Sequence, residues 1–395
     1  MSKRRIDPSP PGPPGSTKLN TDSKPPARQR ASSPSAEPSS FPTPYPPSGF
    51  DRLSARLDRL RISPYAVYLL FGIGLFVVFT LVQWGAGGYP PGEFQPFHVL
   101  FASWSPFMLA LTHYLDRLAA DAFDRFRPAL AATPATSRDL QYRLTTLPAR
   151  PTAFLASGLV LVNSFWMLFD HWVLRPGAKV SVVDLGPQLF QIAPTPLSLT
   201  VVVALLLGVW WTTAVFLYHT IHQLRVISRI YTRHTRIRLL HLGPLYAFSR
   251  VTQQTTIGIV SFFYIFSLTA TGFRAQPAFL LLGGGLWAAI GAVTFAWPLL
   301  GVHRLLVTEK ERLLEENTSR LEAGIADLHT RMDRRNLKGM DDLNKALASL
   351  DLERSALVRI PTWPWEQGTL RGLVAALVVP IIVWAIQLGA ERLLP

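Results

Sequence analysis

The chain contains no cysteine among its 395 residues. Disulfide staples, thiolate nucleophiles and Cys-ligated metal centres are therefore excluded, although the absence leaves the compartment open. Charge is scarce as well: 16% of residues are Asp, Glu, Lys or Arg, against 49% hydrophobic. No Walker loop, dinucleotide fingerprint or Ser–His–Asp arrangement can be read, which argues against catalysis. No long apolar run carries a carboxylate near its midpoint, which argues against proton or sodium coupling.

What charge there is lies between the apolar runs. Lys and Arg gather in the connections, so the net charge of +14 reads as a positive-inside bias facing anionic headgroups, not as nucleic-acid binding. At roughly 20 apolar residues per crossing, spans are expected near 64–84, 97–115, 152–174, 197–221, 251–273, 277–299 and 369–390. The segment 97–115 is short and has Pro106 at its middle, so a re-entrant segment is its alternative. The basic connections 116–150, 222–250 and 303–359 share one side only if 97–115 crosses. The expected fold is all-α: a polytopic transmembrane helix bundle of about seven spans with a cytoplasmic helical hairpin. It is expected in a bacterial plasma membrane, with its N-terminus cytoplasmic.

Residues 1–50 hold 13 of the 33 prolines and no apolar periodicity, the composition of a disordered Pro-rich cytoplasmic tail. In "DRLSARLDRLR" Leu53, Leu57 and Leu60 share a helical face, with Asp51 as N-cap. This predicts an interfacial amphipathic helix over 51–62. The bundle proper is 63–302, and 359–395 comprises a linker and the last span. Trp363 and Trp365 suit an aromatic belt before that span. Gly284, Ala288, Ala292 and Ala296 repeat every four residues, a stripe that lets another helix approach closely. "GTLRG" at 368–372 is a second spacing of the same sort.

After an expected break at Pro298 and Gly301, Leu314, Leu321, Ile325, Leu328 and Met332 fall into a heptad-like seam. A second seam runs through Met340, Leu343, Leu347, Leu350 and Leu357, with Gly339 as a helix stop and Asp341 or Asp342 as the next cap. An antiparallel hairpin over 303–358 follows. Its arms differ in length, so part of the first seam is left for a protein partner or self-association. Ser319 and Glu322 are spaced as a capping box, which sets a second break near Asn317. "NTS" (317–319) is formally a glycosylation triplet, without meaning on the cytoplasmic side. "WPLLGVHRLLVTEKERLLEE" resembles the first helix of a HAMP signal relay over about 20 residues. The relay's second helix and output domain have no counterpart, so nothing further is carried over.

Several residues suggest chemistry. His219 and His222, three apart, share a helical face and are the candidates for a metal or haem ligand. Without Cys or a carboxylate close in sequence, no metal or cofactor is expected. Arg225, Arg229, Arg233 and Arg236 continue a stripe from His222, suited to anionic lipid or to the acidic side of the 303–335 arm. His113, Asp116, Asp121 and Asp124 read as a solvated helix with internal salt bridges rather than a magnesium site. Asn163, Asp170, Gln253 and Gln254 are polar at membrane depth and would line a solute pathway between the third and fifth spans. Three functions are expected in order: a non-catalytic scaffold or signalling component docking a partner through the hairpin, a small-solute transporter or channel, and a membrane-embedded enzyme or haem protein.

Overall fold

The structure is a computed structural model that describes residues 43–169, 195–269, 277–335, 338–365 and 367–393. The expectations for residues 1–42, for Asp170 and for the connections around 175–194 and 274–276 lie outside the described residues. Among the described residues the chain is all-helical, without a strand. Its helices are α1 (Gly49–Leu57), α2 (Pro64–Gly85), α3 (Pro96–Phe126), α4 (Pro134–Thr145) and α5 (Ala149–Phe169). They continue as α6 (Pro196–Arg233), α7 (Ser249–Thr269), α8 (Pro277–Asp333), α9 (Met340–Arg359) and α10 (Gln367–Leu393).

Three of these are long and apolar enough to cross a membrane: α2, α6 and the part of α8 from Gly285 onward. A shorter apolar stretch runs over Gly368–Val379. The distribution of polarity supports the same reading. Leu69 and Leu70 of α2, Phe154 and Leu161 of α5 and Ile386 of α10 project outward, while Gln83, Thr112, Ser198, Thr212 and Thr252 are buried. In water such an arrangement would be costly, because apolar surface is left wet. In lipid it is the expected one, since polar groups are satisfied only inside the bundle. Gln83 Nε2 donates to Ser198 Oγ at 2.6 Å, joining α2 to α6. Thr252 and Thr255 donate back to the carbonyls of Ser249 and Val251 on their own helix.

Several boundaries differ from expectation for local reasons. Residues 43–50, placed in the disordered tail, are instead docked: Ser48 and Leu147 bond through Ser48 N–H to the Leu147 carbonyl at 3.0 Å, and Ala149 N–H reaches the Pro46 carbonyl. The first helix opens at Gly49 because Ser48, not Asp51, is the cap. Ser48 Oγ accepts from Asp51 N–H while the Asp51 carboxylate takes Ser48 N–H, a closed capping box. The same carboxylate accepts Leu147 N–H at 3.0 Å. Burial nevertheless pushes the Asp51 carboxyl above its usual range. Phe50 and Leu57 face inward, and Leu53 and Leu60 stay exposed.

The break expected at Pro298 is absent, and Pro106 breaks no helix either. α3 runs unbroken through Pro106 for 31 residues, so 97–115 is part of a continuous helix rather than a re-entrant turn. α8 runs unbroken through Pro298 for 57 residues. A proline inside a helix forfeits one backbone bond and adds a clash, but Leu299, Val302 and Leu306, all fully buried, hold the following turns in the core. Gly301 is a contact rather than a stop: a Cβ there would lie 2.8 Å from Thr232 Cγ2 of α6. The small-residue stripe is also rotated. Ala292 is exposed, and the packed face carries Gly291, whose carbonyl accepts from Thr256 Oγ1 at 3.0 Å. The side chain of position 284 lies outside the described residues.

Candidate functional site

The largest feature outside the bundle is the hairpin formed by the second half of α8 and α9, which run antiparallel. The chain turns at Arg334 and Arg335 and again at Lys338 and Gly339, with Arg335 and Gly339 in left-handed backbone. Gly339 suits that conformation and is the N-cap of α9, not merely the stop of the first arm.

The two helices meet along a seam rotated from the expected one. Leu314, Asn317, Leu321, Gly324 and Leu328 are buried or half-buried, at spacings of 3, 4, 3 and 4. Ile325 is 39% exposed and Met332 is 56% exposed, so these two face away. Asn317 is the most buried residue of this seam at 2% exposure. Its Nδ2 donates to the Leu350 carbonyl at 3.1 Å and to Glu353 Oε2 at 3.2 Å, while Oδ1 has no partner. A single buried Asn at such a seam fixes register at some cost in stability. Gly324 allows the closest approach, since a Cβ there would stand 2.8 Å from Leu347 Cδ2. The helix passes through Asn317 without the expected break, and the triplet 317–319 presents a buried side chain.

The base of the hairpin is tied to the bundle. Lys310 Nζ donates to the Val358 and Ile360 carbonyls at 2.7 and 2.9 Å, covering the end of α9, where carbonyls and the helix dipole both favour a cation. His303 Nδ1 donates to the Thr362 carbonyl at 3.1 Å, and its ring stacks on Trp363 with centroids 3.9 Å apart. Trp363 stacks in turn on Trp365, which tilts against Phe295. The two tryptophans expected in an aromatic belt thus clamp the linker to α8. Leu306, Leu357 and Leu373 share one apolar core with Phe123, Tyr231 and Phe248. Along the outer face Arg312 bridges Glu309 and Glu316, and its hydrogen bond holds the Glu309 carboxyl below the usual range.

A second polar group of residues fastens α3 to its neighbours. His219 Nε2 meets Asp116 Oδ1 at 2.8 Å, with both side chains largely buried. His113 Nε2 stands 3.1 Å from Asp58, which also pairs with Arg117, and Tyr68 Oη lies 3.3 Å from His113 Nδ1. His222 Nε2 donates instead to the Arg143 carbonyl at 2.9 Å. His219 and His222 therefore serve different partners, and among the described residues no cluster of three His, Asp or Glu could hold a metal ion. Asp116 and His113, expected on a solvated face, point inward; Asp121 and Asp124 are exposed as expected.

The remaining candidates fall separately. Arg225, Arg229 and Arg233 form an exposed stripe on α6, and Arg236 lies past its end. None of the four has an acidic partner among the described residues. Asn163 Nδ2 donates to the Leu159 carbonyl of its own helix. α5, which carries it, packs mainly on α6, whereas α7, with Gln253 and Gln254, packs among α3, α8 and α10. The two helices share no extended interface. Gln253 is buried and Gln254 half-buried.

Sequence reasoning missed Asn317, Gly324 and Lys310. The signal for the first two was present: with Asn and Gly admitted, 314–317–321–324–328 is a more regular heptad than the all-apolar set. Comparison of the chain with protein-family models, with curated proteins and with solved structures finds no match.

Proposed function

We propose that the protein is an integral membrane bundle of about seven spans whose hairpin works as a stiff cytoplasmic arm for scaffolding or signalling, without catalysis. The observation that carries this reading is the continuity of α8. One helix of 57 residues, about 85 Å at 1.5 Å per residue, joins an apolar segment to the tip of a polar hairpin. The Lys310 and His303 contacts tie that hairpin to the bundle. A flexible spacer would need neither the fixed register of Asn317 nor the clamp at the base.

The inner seam is used within the hairpin, so a partner meets the outer apolar residues, Ile325 and Met332. The test replaces residues 318–349 by a short turn, leaving Lys310 and the base intact, and separately introduces I325E together with M332E. Cross-linked assemblies from native membranes are then compared by size. Both variants are expected to lose the same assembly. Unchanged assemblies in both would sink the arm as a docking element.

A further inference from the structure

Between the end of α3, the turn at Gly243–Tyr246 and the starts of α7 and α10 lies a polar cavity of about 430 Å³. Arg125, Ser249, Arg250, Gln253, Gly368 and Thr369 line it, and no acidic residue does. Arg125 and Arg250 are exposed and have no carboxylate partner among the described residues. The amino ends of α7 and α10 open on the same space. There the positive ends of two helix dipoles and backbone N–H groups without intrahelical partners favour an anion.

The independent observation is Gln253. The residue is 8% exposed, lines the cavity and has no hydrogen-bond partner among the described residues. A largely buried side chain whose amide has only the cavity to turn to is satisfied by whatever occupies that space, water or a ligand oxygen. Two guanidinium groups and an amide around one small space match the several acceptor oxygens of a phosphate, which takes short charge-assisted bonds from arginine.

We infer that this cavity is a binding site for a phosphate group. The phosphate belongs either to the headgroup of an anionic lipid or to a soluble phosphate ester. The phosphate assignment stands on the cavity alone, and only the lipid source rests on the membrane reading above.

The experiment measures binding of four probes to the full chain in detergent micelles: a short-chain phosphatidic acid, a short-chain phosphatidylcholine, glycerol 3-phosphate and inorganic phosphate. Phosphatidic acid is expected to bind at one site. R125Q and R250Q are each expected to weaken it about tenfold, the scale of one hydrogen bond to a charged group. Q253E, nearly isosteric, sets a like charge in the cavity and is expected to abolish binding. R334Q with R354Q, exposed on the hairpin and outside the cavity, is expected to change it less than about twofold, as screened surface charges do. Binding of phosphatidic acid without glycerol 3-phosphate assigns a lipid headgroup; comparable binding of both assigns a soluble ester. No binding of any phosphate probe, equal binding of phosphatidylcholine, or full binding to Q253E overturns the site. A loss in the hairpin variant as large as in R125Q does the same.

Discussion

At the scale of single residues, the pairs that matter most bring polar groups into an apolar interior. Asp116 and His219 are 103 positions apart and meet at 2.8 Å with both side chains largely buried. Removing one partner strands the other, which in buried pairs costs about 3–5 kcal/mol. D116A is therefore expected to destabilise the bundle by about 3 kcal/mol in a detergent-unfolding titration, at the low end of that range. The double variant D116L/H219L is expected to recover most of the loss, because replacing both polar groups with apolar volume removes the desolvation cost. A D116A variant as stable as the parent would show that the pair is wet. Neither residue was legible as a pair in the sequence. Asp116 sits in "DRLAADAFDRF" among acids that do face outward, and periodicity cannot tell which acid a distant histidine will claim.

At the scale of elements, the helices were legible and their faces only partly so. Length and apolarity marked all the long helices, because those properties are local. The break expected at Pro298 and Gly301 does not occur, since proline and glycine punctuate helices in water but are accommodated in a packed bundle, as Gly301 is against Thr232. The hairpin was legible as two seams and a Gly339 turn. Its register was not, because a search for apolar residues passes over Asn317 and Gly324. The rotated seam has a direct test. L321E and N317D are each expected to loosen the hairpin, L321E by burying a charge and N317D by facing a carboxylate to Glu353. I325E is expected to leave it intact. Hydrogen exchange along α9 reads the difference. Equal loss of protection in L321E and I325E would restore the original seam.

At the scale of the whole molecule, a cysteine-free chain suits a test of topology. Single cysteines at Ala135, His241 and Ser355, all exposed, are expected to react with a membrane-impermeant maleimide from one side. A cysteine at Glu93, also exposed, is expected to react from the other. Mixed labelling among the first three would sink the seven-span reading. The crossing of Gly301 on Thr232 has a mechanical consequence as well. From that point to Asp333 the helix extends ~48 Å at 1.5 Å per residue. With the crossing as fulcrum, a tilt of about 10° on the apolar side would swing the far end by ~8 Å, given that length. Small rearrangements among packed helices would thus arrive at the tip as displacements wider than a side chain.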